Sequence, residues 1–359
     1  MKKKLSIVGT NGVPGRYGGW ETMVDFILPF FSDRYEVTVF CSSHSYDTKI
    51  DIYKNASLHY IDMPANGFYS ILYDILSIWK SRKSDIILLL GISGVIFLPI
   101  FRIFFPKIRI VTNVDGIEWK RKKFGKLTKI FLRILEHTAA NFSGQVIGDN
   151  INIVKYLNNS YNINSRFIPF GGDHVKAFID MEKSTLIPDS PYCLSICRIE
   201  PENNIEMILM SAIRNKDINF CIVGNWNHSN YGEKLKEKFG SNSNIFLLDP
   251  IYDLDELGKL RSNCKIYIHG HSVGGTNPSL VEAMWYGLQI LAFDVVFNRS
   301  TTNNMVHFFA DCNDLSNKVR GLFYDTFPKE KKEEIVRYAS EKYTWKVIAQ
   351  QYIDVFESK

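Results

Sequence analysis

Short apolar runs recur along this chain, each closed by a polar or glycine-rich turn and each separated from the next by a segment of helical period. Leu5–Gly9, Glu36–Cys41, Leu58–Ile61, Asp85–Leu90 and Ile108–Asn113 make a first series. Tyr192–Cys197, Ile218–Val223, Ile245–Leu248, Lys265–His269 and Gln289–Phe293 make a second. Such runs read as strands buried on both faces, and strands that alternate with helices build a parallel sheet covered on both sides. The rhythm breaks once, at Phe170-Gly-Gly-Asp173, and stays irregular through Ile-Pro-Asp-Ser-Pro. The break predicts two α/β domains: residues 1–172, a linker over 173–190, then residues 191–340. A tail over 341–359 carries Trp345, Ile348, Tyr352 and Phe356 at helical spacing. A length of 359 residues suits two domains, and 45% hydrophobic residues excludes disorder. Parallel sheets bind ligands at the carboxyl ends of their strands, so a cleft between the two domains is expected to hold the site.

Several function classes drop out on composition. A net charge of +5 is too weak to argue for nucleic acid. The six cysteines form no C-x-x-C pair and read as free buried thiols. The apolar stretch behind Met1-Lys-Lys-Lys4 ends within a few residues at Gly-Thr-Asn-Gly12, so no signal-peptide core follows the basic start. Ile86 to Phe101 is the longest apolar run. It is broken by Gly91, Ser93, Gly94 and Pro99, and reads as a buried strand plus helix rather than a membrane crossing.

The segment His269-Gly-His-Ser-Val-Gly-Gly-Thr-Asn-Pro-Ser-Leu-Val-Glu282 carries the strongest chemical signal. It follows a strand. Asn277 suits a helix N-cap and Pro278 the first helical position. The helix would start with free N–H groups facing a glycine loop, and that arrangement attracts a diphosphate. Gly274 and Gly275 let the backbone approach an anion. Glu282 lies about one turn in, where a carboxylate can accept from two ribose hydroxyls. A plain capped helix with a surface glutamate is the alternative. Asp253-Leu-Asp255 opens a helix, where acids belong on dipole grounds, and is read as capping rather than metal binding. His269 and His271 are read as cleft lining, because no third ligand stands at metal spacing.

This block resembles the donor site of the retaining glycosyltransferases of family four, which have the GT-B fold: two Rossmann-like domains facing across a cleft, with a C-terminal helix that crosses back to the first. The resemblance covers nearly the whole chain. The family pattern is Glu-x7-Glu, of which Glu282 matches the second acid while Gly274 stands where the first would be. Arg198 matches a family arginine that clamps the donor diphosphate, and Asn203 replaces the lysine five residues later. The resemblance implies donor contacts from Gly274, Gly275, Thr276, Asn277, Ser279 and Glu282. It also implies contacts from Gly18 and Gly19 in the loop Gly9-Thr-Asn-Gly-Val-Pro-Gly-Arg-Tyr-Gly-Gly19, which lies beside the donor phosphates in the family. Arg198 as a salt-bridge residue and the Gly18-Gly19 loop as a turn that only packs are the structural alternatives.

Family members keep a His or Asp near Asn113-Val-Asp115-Gly-Ile-Glu118 that touches the sugar or acceptor. Asp115 is the first candidate for that role and Glu118 the second, with helix capping as the alternative for either; His271 is a further acceptor-side candidate. Catalysis would rest on Asp115, Arg198 and Glu282. The resemblance further implies retention of configuration, no metal, no cofactor beyond the nucleotide-sugar substrate, and no covalent enzyme intermediate. The Gly-Gly-Thr-Asn-Pro-Ser wording is similar to a bacterial rhamnosyltransferase subgroup of surface-polysaccharide assembly. That implies dTDP-L-rhamnose as donor, a lipid-linked glycan as acceptor, and a place on the inner face of the cell membrane. A different nucleotide sugar, a nucleotide-sugar epimerase and a non-catalytic partner subunit remain open readings.

Between Arg102 and Arg133 ten basic residues meet only two acids, Asp115 and Glu118. Phe124, Leu127, Phe131 and Ile134 fall on one helical face, with Lys122, Lys126, Lys129 and Arg133 towards another. Phe101, Phe104 and Phe105 lie just upstream. A basic helix flanked by aromatics predicts reversible contact with an anionic membrane surface. A solvated charged face over an ordinary core helix is the alternative.

Overall fold

The protein is described here from a computed structural model, which covers residues 2–15, 18–121, 124–179, 181–187 and 189–358. It divides into two compact units. Residues 1–170 and 345–359 form the first, and residues 171–344 the second.

In the first unit the strands are β1 (Lys3–Val8), β2 (Tyr35–Ser42), β3 (Ile52–Tyr53), β4 (Ala56–Ile61), β5 (Ile86–Leu90), β6 (Arg109–Val114), β7 (Gln145–Gly148) and β8 (Arg166–Phe167). They pair in the order β3-β4-β2-β1-β5-β6-β7-β8. Every pairing is parallel except β3 with β4. The order reverses between β1 and β5. Every residue of β5, Ile-Ile-Leu-Leu-Leu, is buried, as a strand covered by helices on both faces requires.

The helix Gly19–Arg34 and the last helix, Trp345–Glu357, pack together on one face of this sheet. Phe26 stacks on Trp345 at 5.7 Å, and Phe31 meets the edge of Phe356 at 5.4 Å. Tyr352 is fully buried, and its hydroxyl accepts from Asn113 Nδ2 at 2.5 Å. Burying side chains of this size contributes roughly 1.5–3 kcal/mol each, which is why the far end of the sequence belongs to the first unit.

The second unit holds β9 (Tyr192–Ile196), β10 (Asn219–Val223), β11 (Ile245–Leu248), β12 (Ile266–His269), β13 (Ile290–Phe293) and β14 (His307–Phe309). All run parallel, in the order β11-β10-β9-β12-β13-β14. This is the doubly wound order, with its switch point between β9 and β12.

Two boundaries differ from those the sequence predicts. Residues 173–190 do not bridge freely: Val175 is buried in the second core, and the Phe178 carbonyl accepts from both Tyr286 Oη and Ser262 Oγ. The tail is not one helix from residue 341. A helix over Lys329–Lys342 ends before a new one starts at Trp345. The Tyr343 carbonyl accepts from Gly172 N and Trp285 Nε1, so it is spent on tertiary partners. Strands β3, β7, β8 and β14 are additions to the two series read from the sequence. All six cysteines are free.

Candidate functional site

At the switch point of the second sheet, two loops leave the carboxyl ends of neighbouring strands. The first runs from β9 through Arg198 to Asn204, and the second from β12 through Gly270 to Asn277. They are tied together by backbone-directed bonds. Ser272 N and Oγ both donate to the Glu202 carbonyl at 2.8 Å, and Asn204 Nδ2 donates to the Gly270 carbonyl at 2.8 Å. Glycine at 270 is required by this approach, since a Cβ there would lie 2.1 Å from the Asn203 carbonyl oxygen. Asn298 Nδ2 holds the second loop from behind through the His271 carbonyl at 2.9 Å.

The second loop delivers the chain to a helix over Pro278–Trp285. Asn277 Oδ1 accepts from Ser279 N at 3.0 Å, and Pro278 fills the first turn, as the sequence predicts. Gly274 has φ +139°, outside the range of L side chains. Gly275, Thr276 and Ser279 follow on the same turn, with Thr276 buried. Arg198 is exposed at the end of β9. Together these place a cation, a glycine loop and a capped helix N-terminus at one end of one sheet, which is a set of groups suited to a diphosphate.

Glu282 differs from expectation. It sits one turn inside the helix, but its carboxylate already has two partners within the unit. Arg261 Nη2 bonds one oxygen, and His174 Nε2 lies 3.3 Å from the other. Both partner side chains are almost fully buried. Burial would raise the Glu282 carboxyl, but the charges of Arg261 and then His174 outweigh it and hold the group below the ordinary carboxylate range. Sequence reasoning missed both partners. Arg261 lies in the last turn of the Leu254–Asn263 helix and His174 in the segment read as linker, and no spacing connects either to Glu282.

His269 ends β12 and is buried. Burial, with a smaller push from His271, drives its pKa down to about 3, so it is neutral. His271 Nδ1 lies 2.7 Å from Asn203 Oδ1. Asp253 caps the Leu254–Asn263 helix by accepting from Asp255 N at 3.0 Å. Among the described residues, no three His, Cys, Asp or Glu side chains converge as metal ligands would.

The remaining candidates lie in the first unit. Gly18, with φ +115°, is the N-cap of the Gly19–Arg34 helix. A Cβ on Gly18 would fall 2.2 Å from Glu21 Oε2. Glu21 is a further residue the sequence reading passed over. It is buried, and its Oε1 accepts from Thr10 Oγ1 at 2.9 Å, Asn11 N at 2.8 Å and Asn11 Nδ2 at 3.1 Å. This glycine loop is therefore closed around a carboxylate of its own. Asp115 stands half-buried just beyond β6. Glu118 opens a single helical turn and pairs with Arg121 at 3.0 Å.

The basic segment is partly consumed internally. Arg102 donates to the carbonyls of Phe142 and Ile108, each at 2.9 Å, and Arg109 to Ser358 Oγ at 2.7 Å. Lys122 and Lys123 lie outside the described residues. The stripe of Leu127, Phe131 and Ile134 is not the buried face of the Lys126–Phe142 helix. Leu127, Ile130 and Ile134 are 84%, 59% and 52% exposed, while Leu135, Glu136, Ala139 and Ala140 face inward. Ile100, Ile103 and Phe104 are also exposed on the helix Leu98–Phe104, which packs beside it.

Residues 177–342 match the family described as Glycosyl transferases group 1. Residues 2–173 match a domain of unknown function, DUF1972. No curated protein sequence matches the chain. Solved structures do. Sucrose-phosphate synthase from Thermosynechococcus elongatus aligns over 99% of this chain and 98% of its own, at 14% identity and a TM-score of 0.82. HepE from Anabaena, solved with UDP, aligns over 100% of both chains at 14% identity and a TM-score of 0.72. The catalytic domain of starch synthase IV from Arabidopsis thaliana, solved with ADP and acarbose, aligns over 99% of both chains at 13% identity and a TM-score of 0.69. These likenesses establish the fold as that of GT-B glycosyltransferases.

Proposed function

We propose that the chain transfers a sugar from a nucleotide donor whose diphosphate is held by its second unit, a reading supported by the match of residues 177–342 to the family described as Glycosyl transferases group 1. The observation that carries this reading is that Arg198 and the Gly274–Asn277 loop, with the capped start of the Pro278–Trp285 helix, follow the carboxyl ends of the neighbouring strands β9 and β12 at the switch point. Arg198 and the backbone N–H groups of the Gly274–Asn277 loop would bind the diphosphate. Their attraction grows as the sugar–phosphate bond breaks and charge builds on the leaving group. Glu282 would face the ribose with its orientation set by Arg261 and His174. That HepE was solved with UDP and starch synthase IV with ADP supports a nucleoside diphosphate as part of the donor.

At the finer level, the proposed donor is dTDP-L-rhamnose, the acceptor a lipid-linked glycan, and the outcome retention at the anomeric carbon. These rest on the wording of the Gly274–Ser279 segment. Calorimetry of the chain with UDP, dTDP, GDP and ADP, and with the corresponding nucleotide sugars, tests the reading. Binding of one nucleoside diphosphate, lost on Arg198→Ala, is expected; no binding across the panel would refute it.

The proposed transferase needs no metal, consistent with Asp253 spending its carboxylate on a helix cap. Activity is expected to survive EDTA. Complete loss, restored by Mn²⁺, would overturn this.

We further propose that the first unit docks on an anionic membrane through the exposed apolar edge of the Leu98–Phe104 and Lys126–Phe142 helices. Among the described residues no helix is long and apolar enough to cross a membrane. Contact would be with the surface, as a lipid-linked acceptor requires.

A further inference from the structure

Two exposed cations of the first unit share one indole ring. Lys120 Nζ lies 5.6 Å from the centre of the Trp119 ring and 5.2 Å from that of Tyr156. The Arg133 guanidinium lies 5.4 Å from the centre of the Trp119 ring. Among the described residues neither Lys120 nor Arg133 is ion-paired. Contact with a ring holds a cation in place without neutralising it, and leaves its N–H donors for an anion.

The indole is fixed from inside. Glu136 is buried, and its Oε1 accepts from Tyr156 Oη and Tyr161 Oη, each at 2.6 Å. A carboxylate only accepts, so the Tyr156 hydrogen points to Glu136. The Tyr156 oxygen is left to accept from Trp119 Nε1 at 3.1 Å. Burial, then the bond to Glu136, raises the Tyr156 pKa, so the hydroxyl keeps that hydrogen. The network ties together the Glu118–Lys120 turn and the Lys126–Phe142 and Ile151–Tyr161 helices. Arg133 lies on the helix whose Leu127, Ile130 and Ile134 are exposed. These are residues proposed above to enter the bilayer surface, where a neighbouring charge meets the lipid head groups. Asp115, the acceptor-side candidate, stands on the chain that runs from β6 into the Glu118–Lys120 turn.

Resting on the membrane and acceptor reading above, we propose that Lys120 and Arg133 bind the phosphate head of the acceptor lipid, with Trp119 as their positioning residue. The apolar edge takes the hydrocarbon, and the two cations take the phosphate oxygens through charge-assisted hydrogen bonds. The glycan beyond the phosphate is then led towards Asp115.

Vesicle binding tests this. Phosphatidylcholine vesicles are doped with either polyprenyl diphosphate or phosphatidylglycerol, at equal total charge. Wild type should bind the first kind about tenfold more tightly. Lys120→Ala combined with Arg133→Ala should bring the two affinities level. Retained binding to phosphatidylglycerol vesicles also reports that the unit is folded. Lys107→Ala combined with Lys126→Ala removes the same charge elsewhere, and should weaken both bindings alike and leave their ratio unchanged. Trp119→Leu removes no charge and should still lower the ratio. Soluble inorganic diphosphate should not displace the protein from the polyprenyl diphosphate vesicles; displacement would assign the cations to a free phosphate and overturn the lipid source. Equal affinities in wild type, an unchanged ratio in the Lys120 and Arg133 variant, or the same fall in the Lys107 and Lys126 variant would each overturn the proposal. Failure of wild type to bind either kind of vesicle is a different result, and removes the membrane reading on which the proposal rests.

Discussion

Changing Leu127, Ile130 and Ile134 together to Asp is expected to abolish co-sedimentation with anionic phospholipid vesicles while leaving the fold intact. All three are more than half exposed, so the folded unit loses little packing when they become polar. Full burial of such a side chain is worth roughly 1.5–3 kcal/mol. Even partial insertion of three would amount to about 3 kcal/mol, or a hundredfold and more in partitioning. The Lys126–Phe142 helix also presents Lys126 and Arg133 to solvent, and Lys107 is exposed nearby. These supply an electrostatic component that anionic lipid strengthens and salt weakens. Changing Lys107, Lys126 and Lys129 to Glu should therefore remove most of the preference for anionic over neutral lipid, and with it the weakening by salt. Equal pelleting with neutral and anionic vesicles, or no effect of the three Asp substitutions, would exclude this surface as the contact. Because Arg102 and Arg109 are already bonded within the chain, the effective basic patch is smaller than the sequence count of ten.

The second large effect concerns Glu282. Glu282→Ala is expected to be a stability mutant before it is a binding mutant. Arg261 is almost fully buried, and removing its counter-charge leaves a cation that neither solvent nor a partner satisfies. Breaking a buried pair from one side costs about 3–5 kcal/mol. Glu282→Gln is the informative variant. It also removes the counter-charge of Arg261 but keeps the shape and one acceptor oxygen, so its loss of stability should be smaller than that of Ala, while nucleoside diphosphate affinity falls by about 1.5–3 kcal/mol, some ten- to a hundredfold. Calorimetry on the Gln variant reads the second effect, and thermal unfolding of both variants reads the first.

The same carboxylate makes a pH prediction. The folded pKa of Glu282 lies below its ordinary value of 4.5. Its contribution to stability is therefore complete above about pH 4.5, and is lost as pH falls through the lowered folded value. Glu282→Gln should remove that part of the acid dependence. An acid limb identical in wild type and Gln variant would show that the pair carries no linkage.

Much of the fold was legible because its causes are local. Apolar runs such as Ile86–Leu90 are too short for helices and too apolar for an exposed face, and their alternation with helical segments leaves a parallel sheet as the arrangement that buries them. The start of the Pro278–Trp285 helix was legible for the same reason: Asn277 caps and Pro278 fits the first turn wherever the helix is placed. What the tertiary structure alone decided is who meets whom across the unit. Glu282 is paired by Arg261 and His174, residues with no spacing relation to it. The Gly18 loop is closed by Glu21, which sequence reading passed over. Tyr343 ends one helix early because its carbonyl serves Gly172 and Trp285. The Lys126–Phe142 helix leaves Leu127, Ile130 and Ile134 exposed, against the rule that apolar stripes face the core, and buries Leu135, Glu136, Ala139 and Ala140 instead. Periodicity reports which residues share a face. Which face is buried depends on the neighbours that long-range packing brings, and the chain's local chemistry does not contain them.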